Sequence, residues 1–385
     1  MKKMRVFIIM IVMILPAVIL AGCAKSGTGK AADMGVNDPA VSEGSVSEMV
    51  EISEDEAVRA EAVSDDDVSL PESNGDEVPQ ERERRKLSRE ERARIQDEKQ
   101  INIYEKTIEI DGLERDADIL FIADMHISLC DDRDMDVYDK AVYRYGNMLD
   151  ANGRPAYQTF HEFVDYANTE DPDLFILGGD ILDSAMMASV NFLEQELSTL
   201  DVPYMYMLGN HDFEYGNEYF SKKAYEEYRP RVVEVSGSEN GAHLFDVAGI
   251  HIFAADDANS QFTPEELEEF KKVYSDGKPV LFIGHVPFEP EMGDTSLYDK
   301  SVELFGTDSN GNSRALIGEH SVVPNETTKE MRDLILADDS PVFCVLSGHI
   351  HYPHEDQLAP DVTQIVAGAA YRSRGVLLHL RRPEE

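Results

Sequence analysis

Short apolar runs of strand-forming residues alternate with amphipathic stretches from about Ile101 to the end of the chain. This alternation is typical of an α/β fold in which sheets and helices form layers. The pattern predicts strands at 103–110, 119–123, 174–177, 204–208, 244–247, 250–254, 280–283, 342–346, 364–367 and 375–380. It predicts helices at 157–168, 189–200, 264–274 and 327–336. The third of these helices follows Thr263 and begins with Pro264, a favourable N-cap and first helical residue.

The start of the chain has a different pattern. Three of the first five residues are basic, and an apolar run from Val6 to Leu20 follows them, as in an export signal. The segment 20–23, Leu-Ala-Gly-Cys, resembles the lipobox of bacterial lipoproteins, in which the cysteine receives a lipid. The resemblance implies a signal peptide over 1–23 and a lipid on Cys23, which would hold the chain at the extracytoplasmic face of the cell membrane. In the alternative, the run is an uncleaved anchor, although it is shorter than the ~20 residues that span a bilayer comfortably.

Between this signal and the α/β pattern, the chain is strongly polar. Residues 24–81 are rich in Ser, Glu, Asp and Ala and have no sustained apolar period, which predicts a disordered acidic tether. Residues 81–100 alternate in charge without Gly or Pro, which predicts an exposed helix with opposite charges one turn apart. We therefore expect a tether over 24–100 that ends in a charged helix, followed by a folded domain over 101–385.

Charge and cysteine content exclude several classes of function. The 385 residues include 76 acidic and 35 Lys or Arg residues, which gives a formal net charge of −41. Because nucleic-acid affinity comes mostly from Lys and Arg that neutralise phosphates, no nucleic acid is expected as a partner. If Cys23 is lipidated, only Cys130 and Cys344 remain, too few for a cysteine-based zinc site or a disulfide scaffold. Cys344 lies in an apolar run and is predicted to be a buried core residue.

Five apolar runs stop at polar residues of one chemical kind. The residues that follow them are Asp124 and His126, Asp180, Asn210 to Asp212, His285, and His349 with His351. Ligands bind in α/β sheets at the carboxyl ends of strands, so these side chains are expected to converge. Imidazole, carboxylate and amide donors without thiolate suit Mn, Fe, Co, Ni or Zn better than Ca or Mg. So many ligands exceed the needs of one ion with open positions, which favours two ions that share a carboxylate.

A glycine precedes four of these residues. It stands directly before Asp180, Asn210, His285 and His349. We expect a side chain at these glycine positions to crowd the tight turns that aim the ligands inward.

The motifs Asp-x-His, Gly-Asp, Gly-Asn-His-Asp, Gly-His and Gly-His-x-His occur in this order and resemble those of the calcineurin-like metallophosphoesterase family. The resemblance covers roughly residues 118–380 and implies a four-layer α/β fold with a β-sandwich between helices. It implies that one ion is held by Asp124, His126 and His351, that the second is held by Asn210, His285 and His349, and that Asp180 bridges them. It also implies that His211 is no ligand and assists the leaving group, with Asp212 orienting it.

The function that follows is metal-dependent hydrolysis of a phosphate ester outside the cytoplasm, with two divalent ions, for which Mn, Fe or Zn are expected. The motifs favour neither a phosphomonoester nor a phosphodiester. A surface lipoprotein that binds metal or ligand without turnover is the alternative, although the intact ligand set and His211 argue against it. The polar stretch 287–320 is predicted to be irregular, a candidate substrate lid in which Arg314 is a candidate phosphate contact. Asp183, Tyr371 and Arg372 are further candidates for the lining of the site.

Overall fold

Two sheets form the centre of the fold. The computed structural model describes residues 87–218, 221–237, 241–290 and 295–383, so the predicted signal peptide, Cys23 and acidic tether lie outside it. The first sheet consists, in spatial order, of β1 (Asn102–Glu109), β11 (Arg374–Arg381), β2 (Ala117–Ile122), β3 (Leu174–Gly178) and β4 (Tyr204–Met207). The second consists of β5 (Ala242–Val247), β6 (Ile250–Ala255), β7 (Val280–Ile283), β8 (Val342–Ser347), β10 (Val362–Val366) and β9 (His354–Ala359). Neighbouring strands are parallel except for the pairs β11–β2, β5–β6 and β10–β9.

The helices connect these strands and cover the sheets. They are α1 (Arg89–Lys99), α2 (Tyr138–Asn147), α3 (Ala156–Glu170), α4 (Met187–Leu197), α5 (Arg229–Ser236), α6 (Pro264–Asp276), α7 (Ser296–Phe305) and α8 (Glu326–Ile335). Short 3₁₀ turns lie at Asp132–Val137 and Ala370–Arg372, and a π-helical turn lies at Ala224–Tyr228. Among the residues that the structure describes, no helix is both long and apolar enough to cross a membrane.

Apolar contacts define the order of the layers. Side chains alternate along β2, so that Ile119 packs with Ile252 of the second sheet while Leu120 packs with Phe163 of α3. On the far side, Phe270 of α6 packs on the outer face of the second sheet. The layers are therefore helix, sheet, sheet and helix, which confirms the predicted fold. Because both faces of each sheet are covered, the central strands are continuous apolar runs.

All ten predicted strands occur, with ends that shift by no more than two residues. The apolar pattern missed β9 and the helices α2, α5 and α7. β9 begins with His354, Glu355 and Asp356 and lies at the edge of its sheet, so no apolar run marks it. The missed helices bury one or two residues each and lack a wide apolar face.

The stretch 287–320 is not irregular throughout, because α7 occupies its centre. Leu297 of α7 packs with Ala315, Leu316, Ile350 and Val366, so this segment has a small apolar cluster of its own. The prediction of a continuous loop is therefore wrong for the ten residues of α7.

A charged helix forms within the predicted segment 81–100, over Arg89–Lys99, but it is not simply exposed. Ser88 and Glu91 form a reciprocal capping box at its start. Ile95 is buried in the core of the first sheet and its helices, and Arg92 Nε lies 2.6 Å from Glu170 Oε1 of α3. The expectation of an exposed helix within the tether is corrected here: α1 packs on the folded domain. The other boundaries of the predicted domains remain predictions.

The Arg92–Glu170 ion pair gives a test of this attachment. In Arg92→Ala, the Glu170 carboxylate, whose side chain is 1% exposed, stays buried without its partner. This lowers the free energy of unfolding by about 3–5 kcal/mol. We expect thermal unfolding of Arg92→Ala at a midpoint several degrees below that of the unaltered chain. Arg94→Ala is the matched control, because Arg94 and its partner Glu98 are both mostly exposed on the same helix. Equal midpoints for the two variants would contradict the packing of α1.

Candidate metal centre

Strands from both sheets end at the candidate site. The residues that follow them are Asp124 and His126 after β2, Asp180 after β3, Asn210 and His211 after β4, His285 after β7, and His349 and His351 after β8. The structure brings the Asp and His residues of this set into three overlapping groups, in each of which one donor atom per residue lies within 4.8 Å of the others. The site therefore forms where the carboxyl ends of strands from two sheets meet.

The first group contains Asp124, His126 and His351. The Nε2 atoms of His126 and His351 lie 2.9 Å apart, and His351 Nε2 lies 3.4 Å from Asp124 Oδ1. Two imidazole nitrogens bound to one ion at about 2.0–2.1 Å, at right angles to each other, would also lie about 2.9 Å apart. The spacing of this group suits a shared cation.

The second group contains Asp180, His285 and His349. His285 donates from Nδ1 to the carbonyl oxygen of Gly178 at 2.9 Å, so its Nε2 lone pair is left for the site. That Nε2 lies 3.1 Å from Asp180 Oδ2. The ring of Phe305 stacks on His349 at 5.9 Å and 7°, which fixes the plane of this imidazole.

Asp180 lies between the two groups. Its Oδ2 is 3.1 Å from His285 Nε2 and 3.9 Å from His126 Nε2, one residue from each group. Its Oδ1 accepts from the backbone N–H of His211 at 2.8 Å. One carboxylate oxygen is thus anchored by the backbone while the other faces both groups, the arrangement that a bridging ligand requires.

Four polar atoms of the set are buried without a hydrogen-bond partner among the described residues. One is His211 Nδ1, which lies 3.3 Å from Glu214 Oε2, and the other three are Asn210 Oδ1, His285 Nε2 and His349 Nδ1. A buried polar atom without a partner costs about 1–3 kcal/mol, so such atoms indicate an unmet interaction. The last three are lone-pair donors from residue types that bind transition metals, and a pair of cations would satisfy them. The residues present therefore fit a two-metal site.

The charges of these side chains also indicate a cation site. Although burial opposes it, neighbouring imidazoles hold the pKa of Asp124 and Asp180 below the ordinary range of aspartate. Burial alone would lower the pKa of His285, but Asp180 and other carboxylates outweigh it and raise the pKa to about 10. Burial and then His285 lower the pKa of His349 to about 3, which keeps that imidazole neutral. The site thus requires positive charge beside its buried carboxylates, from protons or from metal.

Comparison with known proteins agrees with this geometry. A sequence model described as calcineurin-like phosphoesterase matches residues 117–353, more than half of the chain. The chain belongs to the calcineurin-like phosphoesterase family. Membership assigns it coarsely to the phosphoester hydrolases and implies phosphate esters as the substrate class. A comparison with curated protein sequences returns no match.

Several solved structures are similar to this phosphoesterase at low sequence identity. A dimetal phosphatase from Danio rerio is 13% identical, with 69% of this chain and 93% of that chain covered and a TM-score of 0.43. The calcineurin-like phosphoesterase YfkN from Bacillus subtilis is 11% identical, with coverages of 67% and 82% and a TM-score of 0.36. A 5'-nucleotidase from Candida albicans is 13% identical, with coverages of 70% and 47% and a TM-score of 0.35.

The backbone of the phosphoesterase is strained at the metal cluster. Five of its residues have φ between 52° and 68°: Asp124, His126, Asp180, His349 and His351. This left-handed region costs a residue other than glycine about 1–3 kcal/mol, although Asp and His adopt it more often than most. The surrounding structure therefore holds these side chains in place against a local backbone preference.

The glycines before the site residues permit close approach, as predicted. A Cβ on Gly209 would collide with Asp180 Oδ1, and one on Gly348 would lie 2.6 Å from Asp124 Oδ2. Gly179 and Gly284 are similarly close to the side chains of His285 and Asp257. The obstacles are Oδ1 and the backbone N of Asp180 at Gly209, and Ala123 Cβ and Asp124 Oδ2 at Gly348, so a side chain at either position would disturb a candidate ligand.

Further side chains hold the candidate ligands in orientation. Asp183 Oδ1 lies 3.1 Å from His126 Nδ1, and Arg144 Nε donates to both oxygens of Asp183 at 2.8 and 2.9 Å. Asp257 accepts from the backbone N–H groups of His285 and Val286. Asp183 was a candidate from the sequence for the lining of the site. Arg144 and Asp257 were missed, since no motif marks them.

The acidic partner of His211 differs from the predicted one. His211 Nδ1 lies 3.3 Å from Glu214 Oε2. The carboxylate of Asp212 instead accepts from the N–H groups of Asp180, Leu182 and Gly209 and from the Tyr206 hydroxyl. The predicted role of Asp212 is therefore wrong: it holds the loops after β3 and β4 together. The three-residue spacing from His211 was the signal that could have found Glu214.

Other predicted residues stand at different distances from the cluster. His211 forms the third group with His126 and Asp180, so its ring is close enough to serve as a ligand or as a neighbour of one. Tyr371 is buried, and its ring lies 6.1 Å from that of His126 and 5.5 Å from that of His351. Arg314 is exposed and has no hydrogen bond or ion pair among the described residues. Its contact with phosphate remains a prediction.

The collision at Gly209 gives a test of the cluster. In Gly209→Ala, the new methyl group should push the Asp180 carboxylate away, and we expect metal affinity to fall about tenfold or more, as for other changes beside metal ligands. Metal content after dialysis and calorimetric titration with Mn²⁺ or Zn²⁺ measure this. Gly146→Ala is the control, because a Cβ there meets nothing within 4 Å. Unchanged affinity in Gly209→Ala would show that Asp180 is not a ligand.

Proposed function

We propose that this protein hydrolyses a phosphate ester, a phosphomonoester or a phosphodiester, at a dinuclear metal site outside the cytoplasm. The observation that carries the proposal is the position of Asp180, whose Oδ2 faces both groups of candidate ligands. Two neighbouring cation sites that share a carboxylate are what two-metal phosphoester hydrolysis requires.

The proposed ligands follow the two groups. Asp124, His126 and His351 hold one ion, Asp180 bridges, and Asn210, His285 and His349 hold the other, with Mn, Fe or Zn as the ions this donor set suits best. When bound, such a pair supplies an acidified water for attack on phosphorus and neutralises charge on the phosphoryl oxygens. Asp183 fixes the tautomer of His126, and the Gly178 carbonyl fixes that of His285, so both rings aim Nε2 at the site.

His211 is the proposed proton donor to the leaving oxygen. With Nδ1 beside Glu214, its Nε2 remains for the substrate. Burial alone would lower the pKa of His211, but the carboxylates of Glu214 and Asp180 outweigh it and raise the pKa to about 9. Glu214, which is not a proposed metal ligand, is the carboxylate that favours the protonated form of this imidazole. General acid catalysis of this kind accelerates a reaction by about 10²–10⁴-fold.

Two substitutions separate a bridging ligand from a proton donor. Asp180→Asn should lose metal and activity together on every substrate. His211→Ala should keep its metal but lose rate on an alkyl phosphate by about 10²–10⁴-fold, with a much smaller loss on p-nitrophenyl phosphate, whose leaving group needs no proton. Metal analysis and kcat on both substrates measure this. His161→Ala is the control, because His161 is an exposed histidine of α3.

Two results would contradict this assignment. Loss of metal in His211→Ala would make His211 a ligand, and an equal loss of rate on both substrates would make it a stabiliser of charge.

Assays with Mn²⁺ on p-nitrophenyl and bis-p-nitrophenyl phosphate would separate monoesterase from diesterase activity. Full metal content without turnover of any ester would favour the binding lipoprotein over the enzyme.

We also propose that the enzyme is anchored to the membrane through a lipid on Cys23. The support is the sequence alone, namely the lipobox at 20–23 after an apolar run. Cys23→Ala removes the thiol that would be acylated, so we expect no lipid attachment, an unprocessed signal and a larger chain. Metabolic labelling with a fatty acid and gel mobility measure these effects. A variant that keeps its label and mature size would refute the anchor.

A further inference from the structure

Helix α2 presents two cations, one turn apart, to two buried carboxylates. Lys140 Nζ lies 2.5 Å from Glu214 Oε1, and Arg144 Nε lies 2.8 Å from Asp183 Oδ1. Both carboxylate side chains are 1% exposed. Residues four apart lie on one face of a helix, so this face of α2 delivers two positive charges to the interior.

The two carboxylates contact the imidazoles of His211 and His126, and Asp183 lies near both rings, with its Oδ1 also 3.9 Å from His211 Nδ1. Glu214 Oε2 lies 3.3 Å from His211 Nδ1, and Asp183 Oδ1 lies 3.1 Å from His126 Nδ1. Two chains of contacts therefore start on α2. One runs from Lys140 through Glu214 to the proposed proton donor, and the other runs from Arg144 through Asp183 to a proposed metal ligand.

Core packing does not explain the position of α2. Ala141 is the buried residue of this helix, whereas Tyr138, Val142 and Tyr143 are 44%, 49% and 67% exposed. The helix buries little apolar area, so its contribution to the hydrophobic free energy is small. Its two ion pairs reach buried carboxylates, where the loss of a partner is costly. The polar face of α2 is therefore the part of the helix that contacts the site.

We propose that Lys140 is a positioning residue for proton transfer by His211, acting through Glu214. The inference rests on the proposed function and adds Lys140 to His211 and Glu214 as a third residue that supports proton donation. The ammonium group holds Oε1 of Glu214, so that Oε2 stays beside His211 Nδ1 and the opposite ring nitrogen stays directed at the substrate. Arg144 does the same through Asp183 for His126.

A purely structural role for Lys140 predicts something different. Lys140 also donates to the carbonyl oxygen of Gly216 at 2.9 Å, and a residue that only fixed the 214–216 loop would affect every substrate alike. A positioning residue acting on the proton donor should instead affect substrates according to their leaving groups. The leaving-group dependence of kcat therefore distinguishes the two roles.

The test compares Lys140→Met with Lys140→Arg in the full chain. We expect Lys140→Met to keep its metal and KM but to lose about tenfold in kcat on an alkyl phosphate and under about twofold on p-nitrophenyl phosphate. Lys140→Arg, which keeps the charge, should recover most of the loss. Lys272→Met is the matched control, because Lys272 pairs with Glu269 at 2.6 Å on an exposed face of α6. Arg144→Met should instead lower metal affinity and activity on both substrates.

A double-mutant cycle and NMR test the route through Glu214. In a Glu214→Gln background, Lys140→Met should cause little further loss on the alkyl phosphate, because residues that act in series are not additive. The ring ¹⁵N signals of His211 in ¹⁵N-histidine-labelled protein with Zn²⁺, assigned with His211→Ala, should shift in Lys140→Met and stay unchanged in Lys272→Met.

The outcomes separate the inference from the proposed function. If the unaltered protein hydrolyses neither substrate, the proposed function fails. If it is active and Lys140→Met loses both substrates equally or neither, the inference fails and the function stands. Unshifted His211 signals in Lys140→Met overturn the contact chain whatever the activity.

Discussion

The structure depends on burying two carboxylates where the two sheets meet. Asp124 and Asp180 are 0% and 1% exposed, and an ionised carboxylate in such a place is costly unless it is paired and hydrogen-bonded. Backbone N–H groups supply part of the compensation, from His349 to Asp124 and from His211 to Asp180. Imidazoles from both sheets surround the same carboxylates: when protonated they supply the rest, and when deprotonated they direct lone pairs at a shared cation. The requirement for positive charge and the capacity to bind a cation therefore arise from one arrangement.

This constraint extends outward into the second layer of residues. Asp183 lies beside His126, and Glu214 lies beside His211. Both carboxylates are themselves buried and need cations, which Arg144 and Lys140 of α2 provide. Signs of charge thus alternate from the centre to the surface of the protein. The same constraint explains the left-handed backbone at Asp124 and Asp180 and the need for glycine beside them. The loops hold these ligands in conformations that the backbone of a residue other than glycine does not prefer.

Most of the fold and the candidate ligands could be predicted because both are local in sequence. Buried strands are continuous apolar runs, and the candidate ligands follow them directly. The apolar run that marks a strand therefore also marks the position of the ligand motif. The rest depends on tertiary structure. The edge strand β9 and helix α2 bury too few apolar side chains to leave a pattern. The resemblance assigned Asp212 to its neighbour His211, whereas in the loop after β4 Asp212 accepts from backbone N–H groups and the residue three positions on, Glu214, lies beside the ring.

The dependence between α2 and the site runs in both directions. Without α2, Glu214 and Asp183 would be buried carboxylates lacking their cations, and each would disturb the imidazole it touches. Without those carboxylates, a helix that buries only Ala141 would lose two of its principal attachments to the domain. Stability of the helix and organisation of the site are therefore linked through charge rather than through packing. The two cations differ in reach, because Lys140 acts on His211 through Glu214, whereas Arg144 acts through Asp183, which lies 3.1 Å from His126 Nδ1 and 3.9 Å from His211 Nδ1.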